Sequence, residues 1–473
     1  MTDAQRRHLL LATLLGLGLT NMPGDSWGQA DSSRSIAAVI DDYVASGLKA
    51  NLGLQSRSLE LERAQAALDA ARAGYMPQLD FAARYTRAEG GRQITVPLAS
   101  ALNPVYTSLN ELLVAAGRPG EFPQIEDRGF SLIREREQDT RLSLRQPLIA
   151  PAIPAAVRAN RALLGASDYA RIAFARRLKR DIAVGYLNWL AATKTRGIVQ
   201  ASLTLLEENL RVNDSLFRNG KITQDQVLRA KAELLAVTQQ LREAENGIAQ
   251  AASYLNFLLN RPLASPLDAA DARQDLAVAR TDLAQLRSLA MDRRPELAQL
   301  GKLERASAEQ LRIARTARWP TLSLGADAGI QGERYEFGSG RNFGTLSLLL
   351  NWSLFDGGAR AAEVRRAAAS VRQAQLQREQ TAQQIQLEVQ QALDQLLTAN
   401  DSLATAEART TAAQAAFRIA AHKRDAGAIS QVEFIDARAS LASAELNLNV
   451  TRFGLLARQA ELDYATASGD LPL

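Results

Sequence analysis

Two periodicities alternate along the chain. In TLSLLLNWSL (345–354), Leu346, Leu348, Leu350, Trp352 and Leu354 fall on one parity. Thr345, Ser347, Asn351 and Ser353 fall on the other. That is the two-residue period of a strand with one apolar and one mostly polar face. From Gly358 the period becomes helical, and no proline interrupts it before the turn AGAIS at 426–430. A helix of about 67 residues, rising about 1.5 Å per residue, is about 100 Å long, more than a globular core can use.

The same sequence of patterns occurs earlier. Residues 36–74 have helical spacing, and Pro77 ends it. A strand is expected at about 78–86, with Leu79, Phe81, Ala83 and Tyr85 opposed to Gln78, Asp80, Ala82 and Arg84. Residues 88–137 form a Gly- and Pro-punctuated insertion with one short helical piece, SLNELLVAAG (108–117). A second strand follows at about 140–148, then a long helix over 155–218, the turn NGKIT, and a return helix over 224–259. A linker at 268–281 separates this first unit (31–267) from a second (282–473). The second unit has a helix at 282–318, strands at about 321–330 and 344–355, a long helix at 358–425 and a return helix at 432–466.

The two units are a duplication at the level of sequence. LRQPLIAP (144–151) aligns with LNWSLFDG (350–357) at an offset of 206, and NGKITQ (219–224) with AGAISQ (426–431) at 207. A heptad stripe on the second long helix includes Ile385, Val389, Ala392, Leu396 and Ala399 and continues to Phe417. Shifted back by 207, it falls on Leu178, Ile182, Gly185, Trp189 and Ala192 and continues to Leu210. Each long helix therefore carries a coiled-coil seam.

Composition narrows the class. Arg6 and Arg7, an apolar run at 9–19 and Gly28-Gln29-Ala30 have the order of a signal peptide over residues 1–30. The chain has no cysteine, so no N-terminal lipid anchor and no disulfide staple is expected. Beyond the signal no apolar run reaches the length of a membrane helix, yet membrane strands leave only a weak hydropathy trace. A net charge of +5 over 473 residues is too small and dispersed to point to nucleic acid. No metalloprotease, nucleophile-elbow or P-loop motif occurs, and His422 is the one histidine outside the signal. No enzyme, cofactor or metal site is expected.

Four strands cannot close a barrel, and an open sheet edge in lipid leaves backbone groups unpaired at several kcal/mol each. If the strands span a membrane, several chains share one barrel. Two chains would fill its interior with side chains, and three would leave a lumen. Tyr75, Trp319 and Trp352, near the strand ends adjoining the helices, are candidates for a membrane aromatic belt.

Signal, duplicated strand-and-helix units, the QPL and WSLFDGG joints, and the glycine-bearing turns followed by QDQVLRAKAEL and QVEFIDARASL together resemble the TolC-type outer membrane factors, over about residues 36–468. The resemblance implies a membrane α+β fold. Four strands per chain would contribute to a shared, trimeric twelve-strand outer-membrane barrel, continued by a long periplasmic α-helical coiled-coil barrel. It implies an outer-membrane exit duct extending into the periplasm, working in a tripartite efflux pump or a type I secretion system. The implied partners are two further copies, a periplasmic adaptor (membrane fusion) protein, an inner-membrane transporter and outer-membrane lipid. The alternative is a soluble periplasmic coiled-coil scaffold. By the resemblance, the turns at Gly220, Lys221 and Ile222 and at Gly427, Ala428 and Ile429 are adaptor-contacting tips. Glu433 and Asp436 would line the entrance constriction. Three places depart from the family: Ile429 stands where it carries a basic lock residue, Gln226 where it carries the acidic partner, and the first joint reads IAPAIP (149–154) rather than FDGG.

Overall fold

The computed structural model describes residues 34–270 and 282–471. The expected signal peptide and residues 271–281 of the expected linker lie outside them. The elements are α1 (Ile36–Ala50), α2 (Leu52–Ala73), β1 (Gln78–Arg87), β2 (Gln93–Val96), α3 (Leu98–Ala115), β3 (Arg128–Ser131), β4 (Arg136–Ile149), α4 (Ala152–Arg218), α5 (Gln224–Leu258), α6 (Leu283–Arg293), α7 (Pro295–Thr316), β5 (Thr321–Gly332), β6 (Asn342–Asn351), α8 (Ala359–Asp425) and α9 (Gln431–Ala465).

Two helices of 67 residues, α4 and α8, form the shafts. Each turns into a 35-residue partner, α5 and α9 respectively, packed back along it. The heptad positions make the contacts. Leu178, Ile182, Trp189, Val199, Leu203 and Leu206 are buried on α4, and Ile385, Val389, Leu396 and Ala406 on α8. Arg196, the one charged residue of the first stripe, is exposed. Thr410 keeps polarity in the seam of α8 because its hydroxyl donates to Ala406 O (2.8 Å) or to Ala444 O across the hairpin (3.2 Å).

Both short leading helices expected as continuous rods are broken. The helix expected over 36–74 stops at Asn51, whose side chain caps α2 by accepting from Leu54 N and donates to Leu258 O. The one expected over 282–318 stops at Arg294, which is buried against Glu296, Glu388 and Ala465 O. Asn51 ends the first segment through its anchored side chain, whereas Arg294 ends the second because it precedes Pro295, which bars the helical conformation there and opens α7.

Four strands form one antiparallel sheet in the order β1-β4-β5-β6. Its register shifts at Pro147, which has no N–H to give the ladder. The strand expected to 355 ends at Asn351 because Asn351 pairs with Thr321, the first residue of β5, so residues 352–355 meet no neighbour in the sheet. The insertion holds more structure than one short helix. A β2–β3 ribbon carries α3, whose inner side is fixed by paired Asn103–Ile125 and Asn110–Phe122 hydrogen bonds. These side-chain bonds hold a helix that includes Pro104, where the spacing alone predicts one starting only at 108.

Candidate functional site

The sheet separates its faces by register. One cross-strand row reads Leu79, Leu144, Ala326, Leu346. The next row, on the opposite face, reads Asp80, Ser143, Asp327, Thr345. Asp327 accepts from the Ser143 hydroxyl (2.5 Å) and from that of Thr345 (3.2 Å). The apolar face is bare, and Leu346, Leu348 and Leu350 are 65–75% exposed. Strands β1 and β6 lie at the two ends of the sheet, each with one edge unpaired among the described residues.

At the helix-proximal end of the sheet, Tyr75, Trp319 and Trp352 are all exposed. Trp352 Nε1 donates to Arg318 O (3.1 Å), and Tyr75 O accepts from Gln146 (2.9 Å). The joint into α8 is held by Asp356 and Arg360. The Asp356 carboxylate accepts from Arg360 N, Gly358 N and the guanidinium of Arg360. These bonds, the one from Arg360 N foremost, hold its carboxyl below the usual range. The same guanidinium reaches Ser353 O, Leu354 O and Ala317 O.

At the far end of the shafts the two hairpin tips share one geometry. Gly220 and Gly427 both have φ +69°. Lys221 N donates to Leu216 O (2.9 Å), and Ala428 N to Lys423 O (2.8 Å). This is the glycine-dependent closure of a helix C-terminus by its next two N–H groups. Gly220, Lys221, Gly427 and Ala428 are exposed, whereas Ile222 and Ile429 are half-buried at matching places. At the second tip, Phe417 and Phe434 pack 5.7 Å apart, and Arg424 lies 4.1 Å over the Phe434 ring.

The two acids behind that tip differ. Glu433 sits at the third position of α9 and closes a capping box, in which its carboxylate accepts from Ser430 N (2.9 Å) and Glu433 N donates to Ser430 Oγ (3.3 Å). Asp436, one turn on, is exposed and has no hydrogen bond or ion pair among the described residues. Further in, Arg438 on α9 donates to Glu233 on α5 (2.7 Å). Arg438 is 6% exposed, and its Nε and Nη1 find no partner among the described residues. It lines a cavity of about 270 Å³ between α4, α5 and α9. Neither member of this pair was expected from the residues. The one signal for it was a lone arginine in the small-residue run ARASLASA (437–444).

Among the described residues no helix is long and apolar enough to cross a membrane, and no acid or histidine cluster could hold a metal ion.

The family model described as outer membrane efflux protein matches residues 45–261 and 286–468. The chain belongs to the outer membrane efflux protein family. Its place is the outer membrane with an extension into the periplasm, and the family is one of efflux channels. The fold is shared with solved structures of low sequence identity. The Campylobacter jejuni CmeC outer membrane channel aligns with a TM-score of 0.75 at 17% identity, covering 96% of this chain and 94% of that one. The Vibrio cholerae outer membrane protein VceC gives 0.72 at 19%, covering 91% and 97%. The open-state Neisseria gonorrhoeae MtrE outer membrane channel gives 0.72 at 17%, covering 91% and 89%. A sequence comparison with curated proteins returns no match.

Proposed function

We propose that three copies of the chain assemble into one exit duct, with their twelve strands closed into an outer-membrane barrel and their helices continuing it as a periplasmic tunnel. The observation that carries this is a four-stranded sheet with one bare apolar face, one polar face and two unpaired edges. In lipid, every backbone group must find a partner, so β1 of one copy pairs with β6 of the next. Two copies would give a filled barrel, and three give a water-filled lumen lined by the Asp80–Ser143–Asp327–Thr345 row. Tyr75, Trp319 and Trp352 then form a belt at the periplasmic side of the membrane.

The duct is passive. It receives substrate from an inner-membrane transporter through a periplasmic adaptor that docks on the tips at Gly220–Lys221–Ile222 and Gly427–Ala428–Ile429. The efflux family supports a tripartite pump, and a type I secretion partner would use the same surfaces. Three Asp436 carboxylates form the selectivity ring of the entrance, backed by three Glu433 carboxylates whose bonds to Ser430 hold them at the helix start.

Fractionation of cells expressing the full chain tests this reading. Detergent-extractable trimers in the outer membrane that fall apart only on boiling support it. A soluble periplasmic species refutes it and favours the coiled-coil scaffold instead.

A further inference from the structure

Helix α3 stands on the β2–β3 ribbon, on the side of the sheet away from the shafts. No residue of it is buried. Its inner side is occupied, since Asn103, Tyr106 and Asn110 face the segment around Phe122 and Ile125. Its other side carries Leu98, Leu102, Val105, Leu109 and Leu112, spaced 4, 3, 4, 3, all between 37% and 66% exposed. Strict 4-3 spacing is the pattern of a helix that packs on another helix.

We infer that this stripe is a contact between copies of the chain: α3 helices from neighbouring protomers pack on one another and cap the outer mouth of the duct. The inference rests on the shared-barrel reading above. Two observations favour a second copy over a lipid surface as the occupant. First, α3 contains one charged residue, Glu111, and no lysine or arginine. Helices that lie on anionic membrane surfaces carry cations on their polar side. The positions flanking the stripe include Ala99, Ala101, Ser108 and Ala115. They are small and uncharged, so identical helices can approach closely without like-charge repulsion. Second, α3 lies within the β1–β4 hairpin, and β1 is a free edge of the sheet. Closing a barrel through that edge brings the insertions of all copies around one axis.

The 18-residue α3 is about 27 Å long, so the stripe runs along most of its length.

The chain has no cysteine, so single cysteines report proximity cleanly. Val105→Cys lies on the stripe, and Thr107→Cys on the opposite, exposed side of the helix. Both full-length variants are oxidised in isolated outer membranes and run on denaturing gels without reductant. Unboiled samples report whether trimers are present. The expected result is a strong disulfide-linked dimer band for V105C, with one protomer of each trimer left unlinked, and little for T107C. Disulfides need Cα atoms within about 7 Å, which packed helices supply. Intact trimers in which V105C links no better than T107C would overturn the inference. So would unlinked trimers of V105C in which a polarity-sensitive dye on the introduced thiol shifts to apolar emission only when lipopolysaccharide is added. Absence of trimers in every variant, and in the parent chain, would remove the shared-barrel reading and this inference with it.

Discussion

The Arg438 guanidinium reaches the Glu233 carboxylate across 2.7 Å and ties the return helix of one hairpin to that of the other. A buried cation with a single carboxylate partner is poorly compensated. Glu233→Ala should therefore destabilise the tunnel end by about 3 kcal/mol, less than for a fully buried pair because the Glu233 side chain is 31% exposed. Arg438→Met should cost less, because Glu233 can turn to water while the methionine keeps the packing. Chemical denaturation of the detergent-solubilised protein checks the order. Equal losses for the two variants would contradict it.

The two acids proposed for the entrance should separate in planar-bilayer recordings. Asp436→Asn is expected to reduce cation selectivity and weaken block by divalent cations. Glu433→Ala should change selectivity less and mainly loosen the start of α9, by about 1 kcal/mol for a lost capping box, whereas Glu433→Gln keeps the box. The double variant Glu433→Ala with Asp436→Ala should lose most of the divalent block. Block unaltered in the double variant would sink the ring.

Tyr186 gives an alkaline signature. Its ring is fully buried, its hydroxyl donates to Asp268 O (2.9 Å) and accepts from Ala270 N (3.1 Å), and burial pushes its pKa from 10.0 up to about 12. Above pH 10 the unfolded chain gives up this proton while the folded chain keeps it. Stability from this group is thus fully present below pH 10 and is lost as the pH rises towards 12. Tyr186→Phe should flatten that part of the melting-temperature profile. At neutral pH it should cost about 1–3 kcal/mol by orphaning Asp268 O and Ala270 N. An unchanged alkaline slope would show that other groups set it.

The strand-to-helix joint depends on Arg360, which holds Asp356 and three carbonyls. Arg360→Met should lower the temperature at which oligomers dissociate on gels, while leaving the coiled-coil seams and hence the helical circular dichroism nearly unchanged. A parallel loss of helical signal would mean that the joint nucleates the shaft.

Much of this architecture was legible in the residues. The strand parity around Leu346 and the heptads through Ile385 and Ile182 arise from local spacing, and local spacing is what a sequence displays. The break at Asn51 was not legible, because its polar side chain sits inside a helical pattern and is anchored to a distant helix. The break at Arg294 was written in the residues, since Pro295 follows it, but the helical spacing on both sides masks it. The pairing of Arg438 with Glu233 spans 205 residues and has no local trace. Glu433 is a different case. Ser430 three residues before it is a written capping signal, so its bond to its own helix start is legible beside the entrance role proposed for it.

The free edges of β1 and β6 also bear on inheritance and assembly order. On the shared-barrel proposal, a lone protomer cannot satisfy those edges in lipid, so membrane entry follows, or accompanies, the meeting of copies. Insertion should then depend more than linearly on the concentration of chains awaiting it, and each waiting chain presents a bare leucine face that needs escort across the periplasm. In the proposed shared barrel, a defect on one edge, such as Leu348→Pro, would leave a gap beside sound copies. Such alleles should act dominantly, silencing ducts built mostly from normal protein.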